Sequence, residues 1–292
     1  MAHDHAPSYG RAFAIGIALN GIFVVVEAVY GFMAGSVALV ADAAHNLSDV
    51  LGLGLAWGAL ALARRKPTHR RTYGLRKTTI LAALANAVFL FIAVGGVLWE
   101  AAQRLRSPRP LEGRVVMTVA AIGVLVNGAS ALSFARGRAH DVNVRAAFMH
   151  LAADAAVSLG VVVAGGLIVV TGLARIDPIV SIVVSLVILW GTWGVLRQSL
   201  DLALDAVPHG IDTEKVRAYL AGLTGVGDVH DLHIWAMSTT ETALTAHLVM
   251  EKCAPHFLRE VEKALHDRFE IEHVTLQVEA PEAPEPCARV CD

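Results

Sequence analysis

Six long apolar runs in the first two thirds of the chain are the feature that most restricts its fold. A helix of about 20 apolar residues crosses the ~30 Å hydrocarbon core of a bilayer. The runs are Ala12–Met33, Val37–Ala63, Thr79–Leu98, Val115–Ala135, Ala146–Thr171 and Ile176–Leu196. The sequence therefore predicts an α-helical membrane protein, with a six-helix transmembrane bundle in residues 11–200 after a cytoplasmic N-terminal tail of residues 1–10.

Composition supports a membrane protein and argues against some function classes. Hydrophobic residues make up 55% of the 292 residues and charged residues 17%, which is too apolar for a soluble globular chain. The net charge of −2 gives no reason to expect a nucleic-acid partner. Cys253, Cys287 and Cys291 do not form the pattern of a disulfide framework, and fit a reducing compartment or a metal-binding role.

The last third of the chain is more polar and follows a different pattern. Helix and strand patterns alternate through residues 201–281 in the order αββαβ. The predicted elements are Asp212–Leu223, Val229–Met237, Thr242–Met250, Pro255–Phe269 and His273–Val278. This order predicts a cytoplasmic α+β domain of the ferredoxin-like type. The proline-rich stretch after it predicts a flexible, cysteine-containing tail in residues 282–292.

Two His-x-x-x-Asp pairs lie inside the apolar runs, at His45 and Asp49 in the second and at His150 and Asp154 in the fifth. Residues four apart lie on one face of a helix. Two such helices facing each other offer two nitrogens and two oxygens, which suits tetrahedral zinc. An ionisable group in mid-bilayer costs about 2.5–3.5 kcal/mol on insertion scales, so the pairs predict a shared metal site. The alternative is a purely structural polar network.

Four further polar residues lie inside the predicted spans: Asn20, Glu27, Asn86 and Asn127. Polar side chains within transmembrane bundles commonly bond across helices. We therefore expect interhelical hydrogen bonds from these residues in preference to a direct role in ion passage.

Basic residues in the loops predict the orientation, because cytoplasmic loops are enriched in Lys and Arg. One side carries the larger set: Arg11, Arg64, Arg65, Lys66, Arg70, Arg71, Arg76, Lys77, Arg136, Arg138, Arg145 and Arg197. The other side carries Arg104, Arg106, Arg109, Arg114 and Arg175. This difference predicts that both termini lie in the cytoplasm.

Nearly the whole chain resembles the cation diffusion facilitator family, and most closely its bacterial zinc-efflux branch. The resemblance rests on the two His-x-x-x-Asp pairs, the topology and four ordered motifs. These motifs are Gly35–Asp49 (GSVALVADAAHNLSD), Arg71–Lys77 (RTYGLRK), Asn143–His150 (NVRAAFMH) and Val229–Trp235 (VHDLHIW).

The resemblance implies a homodimer of six-span protomers in the lipid bilayer of a bacterial inner membrane, exchanging Zn²⁺ for H⁺ and acting as a carrier, not an enzyme. By position, the transport site is His45, Asp49, His150 and Asp154. Relatives with His at the first of these positions prefer zinc, whereas Asp there accompanies tolerance of cadmium.

The resemblance also implies a cytoplasmic metal site. Because this domain is soluble and lies off the ion path, we expect zinc bound there to regulate transport. His230 or His233, His247 and Glu279 match the positions that some relatives use. Other relatives use two terminal cysteines, and Cys287 and Cys291 resemble these. The alternative for His230 and His233 is that they are solvent-facing strand residues without a metal.

Zinc requires neutral imidazole and ionised carboxylate, so metal and protons compete for one site. This competition favours proton-driven export by alternating access. No Gly-x-x-x-x-Gly-Lys-Ser/Thr motif is present, which argues against a nucleotide cofactor. The alternatives are an exporter with broader specificity for Cd²⁺, Co²⁺, Ni²⁺ or Fe²⁺, a membrane metal sensor and an intramembrane metalloenzyme.

Overall fold

The structure is a computed structural model that describes residues 10–135, 142–251, 253–254 and 256–281. Residues 1–9 of the predicted N-terminal tail lie outside the described residues, and its last residue, Gly10, begins a helix. The predicted C-terminal tail, with Cys287 and Cys291, also lies outside the described residues. The chain divides into two units. The first comprises Met1–Leu55 and Ala85–Gly194, and the second comprises Ala56–Leu84 and Val195–Asp292.

All six predicted spans are helices. They are α1 (Gly10–Ala34), α2 (Val37–Ala63), α3 (Thr78–Arg106), α4 (Gly113–Phe134), α5 (Val142–Thr171) and α6 (Ile176–Ala203). Five of them, α2 to α6, are long and apolar enough to cross a membrane, and the apolar part described in α1 is the shorter Gly21–Ala34. Several helices extend past the predicted bounds because their polar ends continue the helix beyond the apolar run. In α3, for example, Arg104 and Arg106 lie in the last turn, where cations favour the helix dipole.

Most of the apolar surface of these helices points outward. Only 17–33% of the most apolar stretch in each of the five spans is buried inside the protein. Large side chains such as Leu125, Val170 and Trp190 are exposed. A soluble protein rarely exposes so much apolar area, so these faces contact lipid.

Helices α4 and α5 of the first unit pack closely against each other. A Cβ atom added to Gly165 would lie 2.8 Å from the backbone nitrogen of Met117 and 3.0 Å from its Cα. Gly165 therefore lets the backbones of the two helices approach directly, as small residues do at transmembrane helix interfaces.

A buried carboxylate fixes the start of α2. Asp177, in the first turn of α6, accepts hydrogen bonds from Ser36 Oγ and, at 2.8 Å, from Val37 N. Arg104 of α3 donates to the carbonyl of Gly35, which adopts a left-handed φ of 69°. The free N–H groups at the start of α2 are thus satisfied inside the protein, and α2 is held at one end by α3 and α6.

The second unit contains the predicted α+β domain. Its elements are α7 (Thr213–Ala221), β1 (Asp228–Ala236), β2 (Thr242–Val249), α8 (Phe257–Phe269) and β3 (His273–Glu279). The sheet order is β1-β2-β3, with β1 antiparallel and β3 parallel to β2, so the prediction of αββαβ order is confirmed. Asp212 caps α7, and the backbone N–H of Lys215 holds the pKa of this carboxyl below its usual range.

The same unit joins the start of α3 to the β1–β2 hairpin. Arg76 Nη1 donates to Glu241 Oε2 at 2.7 Å, and the backbone N–H of Thr239 donates to Thr79 Oγ1 at 3.1 Å. Lys77 pairs with Asp205 at 2.6 Å. The sheet is therefore attached directly to residues at the beginning of a transmembrane helix.

We predict that Gly165→Ala destabilises the protein by about 1–3 kcal/mol, because its methyl group meets the α4 backbone. Gly160→Ala on the same helix is the matched control, since a Cβ there would meet nothing within 4 Å. Thermal unfolding in detergent should show a lower midpoint for Gly165→Ala alone. Equal midpoints for the two variants would contradict the close approach of the two backbones.

Candidate metal centre

Helices α2 and α5 bring all four predicted ligands together. His45 Nε2 lies 3.7 Å from Asp49 Oδ2 and 3.4 Å from Asp154 Oδ1. His150 Nε2 lies 3.3 Å from Asp49 Oδ2 and 3.5 Å from Asp154 Oδ2. Each histidine therefore faces the aspartate of its own helix and that of the other helix, so the cluster is shared equally by α2 and α5.

The His–Asp spacings are close to those between the ligands of a zinc ion. With Zn–N and Zn–O bonds of about 2.0–2.2 Å, the ligand atoms of a tetrahedral site lie about 3.3–3.6 Å apart, and the four His–Asp distances span 3.3–3.7 Å. The two imidazole rings meet edge-on, with 6.1 Å between their centroids and 80° between their planes. The ligand atoms of His45, Asp49 and Asp154 all lie within 4.8 Å of one another, which is close enough for one metal ion, and His150 borders the same two carboxylates.

The four ligands differ in accessibility. The Asp154 side chain is 5% exposed and that of His45 is 16% exposed, whereas His150 is 50% exposed. His45 Nδ1 is buried, and it has no hydrogen-bond partner among the residues that the structure describes. The site is thus closed on the side of His45 and Asp154 and open on the side of Asp49 and His150.

A second set of polar residues lies next to this cluster. Ser158, one turn after Asp154, donates to Asp42 Oδ2 of α2 at 2.9 Å. Asn46 of α2 donates to Glu27 Oε2 of α1 at 3.2 Å. Sequence reasoning gave no role to Asp42, Asn46 or Ser158, although Asp42 and Asn46 lie within the same motif as His45.

The predictions for the polar residues within the spans have mixed outcomes. Interhelical hydrogen bonds are confirmed for Glu27 with Asn46 and for Asn86, which accepts from Ser48 Oγ at 3.3 Å. The prediction is wrong for Asn127, whose side-chain nitrogen and oxygen are buried with no hydrogen-bond partner in the described part of the chain. The side chain of Asn20 lies outside the described residues.

A second cluster lies on the sheet of the α+β domain. His247 Nδ1 is 2.9 Å from Glu279 Oε1, and His230 Nε2 is 3.2 Å from Glu279 Oε2. His230 and His247 are directly opposed in the β1–β2 ladder, with ring centroids 5.2 Å apart. Their ligand atoms and that of Glu279 all lie within 4.8 Å of one another, which is close enough for one metal ion.

A β-bulge places a further carboxylate beside this cluster. The register of β1 shifts between His230 and His233, and Asp231 there has a φ of 51°. Asp231 Oδ1 lies 3.0 Å from His233 Nε2, and its Oδ2 lies 3.6 Å from His247 Nε2. His230 belongs to the three-residue cluster itself, and His233 is linked to it through Asp231. Strand alternation in the sequence gave no sign of this bulge, and Asp231 was missed.

We predict that His247→Ala lowers the zinc content of the full-length protein by about one ion per chain, since it removes a central donor of the sheet cluster. His266→Ala, an exposed histidine of the same domain, is the control. Equilibrium dialysis with metal analysis measures both variants. If His247→Ala keeps the zinc content of the control, this cluster does not hold the ion.

Comparison with known proteins identifies relatives along nearly the whole chain. The family model for the cation efflux transmembrane domain matches residues 13–202, and that for the cation efflux protein cytoplasmic domain matches residues 208–281.

Three curated relatives illustrate the similarity. The metal cation efflux system protein CzcD of Cupriavidus metallidurans is 36% identical over 95% of this chain and 89% of its own. The zinc transporter ZitB of Escherichia coli is 36% identical over 96% and 93%. The cadmium, cobalt and zinc/H(+)-K(+) antiporter of Bacillus subtilis is 30% identical over 96% and 89%. A solved structure of the metal-bound C-terminal domain of the CzcD transporter is 36% identical and covers 24% of this chain and 99% of that chain, with a TM-score of 0.22.

Proposed function

We propose that this protein exports zinc and that protons drive the export. The chain belongs to the cation efflux family, the cation diffusion facilitators. It is an integral membrane protein, and we infer that it resides in the bacterial inner membrane. The names of the relatives, which include a zinc transporter and an antiporter for cadmium, cobalt and zinc, support a divalent cation as cargo.

The observation that carries the proposal is that each of the two histidines lies 3.3–3.7 Å from both aspartates, between two apolar helices. Two neutral imidazoles and two carboxylates balance the charge of Zn²⁺ with no net charge left in the membrane. Other late first-row cations accept the same donors, so cobalt and nickel are secondary cargoes of this site.

The unequal accessibility of the ligands supports a site open to the cytoplasm. In the proposed orientation, with both termini in the cytoplasm, α2 runs inward and α5 runs outward. Asp49 and His150 then lie one turn nearer the cytoplasm than His45 and Asp154, and they are the more exposed pair. Cytoplasmic zinc enters past these two residues. After a change to the outward-open state, protons compete for the same nitrogens and oxygens and release the ion.

Two other functions fit the site less well. A catalytic zinc usually has three protein ligands and an open position for water, whereas this cluster offers four protein donors. In a sensor the membrane helices would serve only as an anchor, and a matched pair of ligands in two spans would have no use. The four buried or half-buried donors therefore favour a carrier.

We further propose that zinc at His230, His247 and Glu279, with His233 and Asp231 nearby, regulates transport through a homodimer of the α+β domains. The attachment of the β1–β2 hairpin to Arg76 and Thr79 offers a route from this cluster to α3. Cys287 and Cys291 remain candidate additional ligands.

Asp154→Ala is expected to abolish zinc transport while the protein still reaches the membrane, because the most buried carboxylate of the cluster is lost. Proteoliposomes with an imposed pH gradient and a zinc-sensitive dye inside measure uptake. Asp201→Ala, a partly exposed aspartate on α6, is the control and should transport normally. Transport by a folded Asp154→Ala protein would refute the site.

His45→Asp is expected to retain zinc transport and to admit cadmium, since the donor set changes from two nitrogens and two oxygens to one and three. The shorter side chain also leaves more room for a larger ion. Competition between zinc and cadmium at equal concentrations in vesicles measures the change. A mutant that still excludes cadmium would assign selectivity to helix packing, and one without any transport would make His45 indispensable.

A further inference from the structure

The proposed zinc cycle does not use two carboxyl groups that are completely buried beside it. Glu27 of α1 and Asp42 of α2 each have 0% of their surface exposed. One oxygen of each has a neutral donor, namely Asn46 Nδ2 for Glu27 and Ser158 Oγ for Asp42.

The remaining oxygens have no such donor. Glu27 Oε1 and Asp42 Oδ1 are buried, and no N–H or O–H group in the described residues bonds to them. Asn46 lies four residues after Asp42 on the same face of α2, so the Glu27 carboxyl group that Asn46 bonds lies beside Asp42. Two neighbouring carboxylates repel each other, and a proton bound by either of them removes this repulsion. The placement of the pair therefore suits the binding of a single proton.

The elements around the pair supply no positive side chain, among the described residues, that would replace this cation. The titratable neighbours are His45 on α2 and Asp154 on α5, and neither is hydrogen-bonded to the pair. Arg114 is the single charged residue of α4 and lies in its first turn. Helix α4 instead approaches through Gly123, where an added Cβ would lie 3.1 Å from Ser158 Oγ.

We propose that Glu27 and Asp42 form a proton-binding pair that carries one of the protons exchanged for zinc, separate from the four metal ligands. In this step one carboxyl O–H of the pair breaks and the proton leaves to water, so that both groups are anionic until a proton from the other side restores the bond. The proposal rests on the proposed function, since it assigns a binding site to a proton that is exchanged for zinc.

The pair lies where a movement that opens the metal site would also change the contacts of the pair. Asp42 precedes His45 by three residues on α2, and Ser158 follows Asp154 by four residues on α5. The Ser158–Asp42 hydrogen bond therefore crosses the same two helices as the metal cluster, one turn away. A movement of α2 against α5 that changes access to zinc also changes the contacts that hold the proton.

The test is the number of protons moved per zinc ion by full-length protein in proteoliposomes, with Glu27→Gln compared to the parent. Glutamine keeps the shape of the side chain but cannot exchange a proton. We expect zinc binding to remain in calorimetry and the proton-to-zinc ratio to fall by about one, because the four ligands are intact. Glu112→Gln, in the loop before α4, is the control and should leave the ratio unchanged.

Three outcomes would overturn the proposal. An unchanged ratio in an active Glu27→Gln protein means that the pair is only structural. An unchanged ratio together with a requirement for Na⁺ or K⁺ means that a metal cation occupies the pair. Loss of zinc binding in Glu27→Gln means that the pair supports the metal site itself. Failure of the proposed function is distinguished by the unmutated protein, which in that case would move no zinc in the same proteoliposomes.

A second measurement applies if Glu27→Gln does not fold. Infrared spectroscopy of the unmutated protein should show the C=O stretching band of a protonated carboxylic acid at neutral pH. Glu27→Asp should shift this band, because it changes one of the two carboxyl groups that hold the proton. Absence of any protonated carboxyl band at neutral pH would overturn the proposal independently of mutant stability.

Discussion

The cost of placing charge in lipid governs this structure. An ionisable side chain at mid-bilayer costs several kcal/mol unless a partner offsets it. Carboxyl groups lie within the apolar parts of α1, α2, α5 and α6, in three arrangements. Asp177 accepts from the start of a helix, Glu27 and Asp42 each accept from a neutral donor, and Asp49 and Asp154 face imidazoles. Of these three arrangements, the last brings together the nitrogen and oxygen donors that zinc prefers.

Helix α2 connects all of these arrangements. Its first turn is bonded to Asp177 of α6, and Asp42 is bonded to Ser158 of α5. Further along, Ser48 is bonded to Asn86 of α3, and Gly52 packs against the same side chain, since a Cβ added there would lie 2.7 Å from Asn86 Nδ2. Helix α2, which carries two of the four proposed metal ligands, is therefore bonded to α3, α5 and α6. Because the interhelical bonds are specific, a movement of α2 must exchange them together, which favours two discrete states over continuous bending.

The sequence predicted those features that depend on local periodicity. The apolar runs located six helices, and the spacing of four residues within each His-x-x-x-Asp pair located the ligands on one helical face. The order of the α+β elements was likewise predictable from alternation and capping, as Asp212 shows. Features that depend on how segments meet were missed. The bulge that brings Asp231 to His247 follows from one left-handed residue, and the hydrogen bond from Asn46 to Glu27 depends on packing between α1 and α2.

The two proposed metal clusters differ in the solvent that surrounds them, and this difference separates their proposed roles. In the sheet cluster, water can solvate the carboxylates of Asp231 and Glu279 when no metal is bound, so the empty state costs little. In the membrane cluster, an empty site would leave two carboxylates in surroundings of low dielectric constant, where they would require protons or protonated imidazoles as replacements. On this proposal the membrane site is stable with either zinc or protons and unstable with neither, so that its environment favours exchange over simple release.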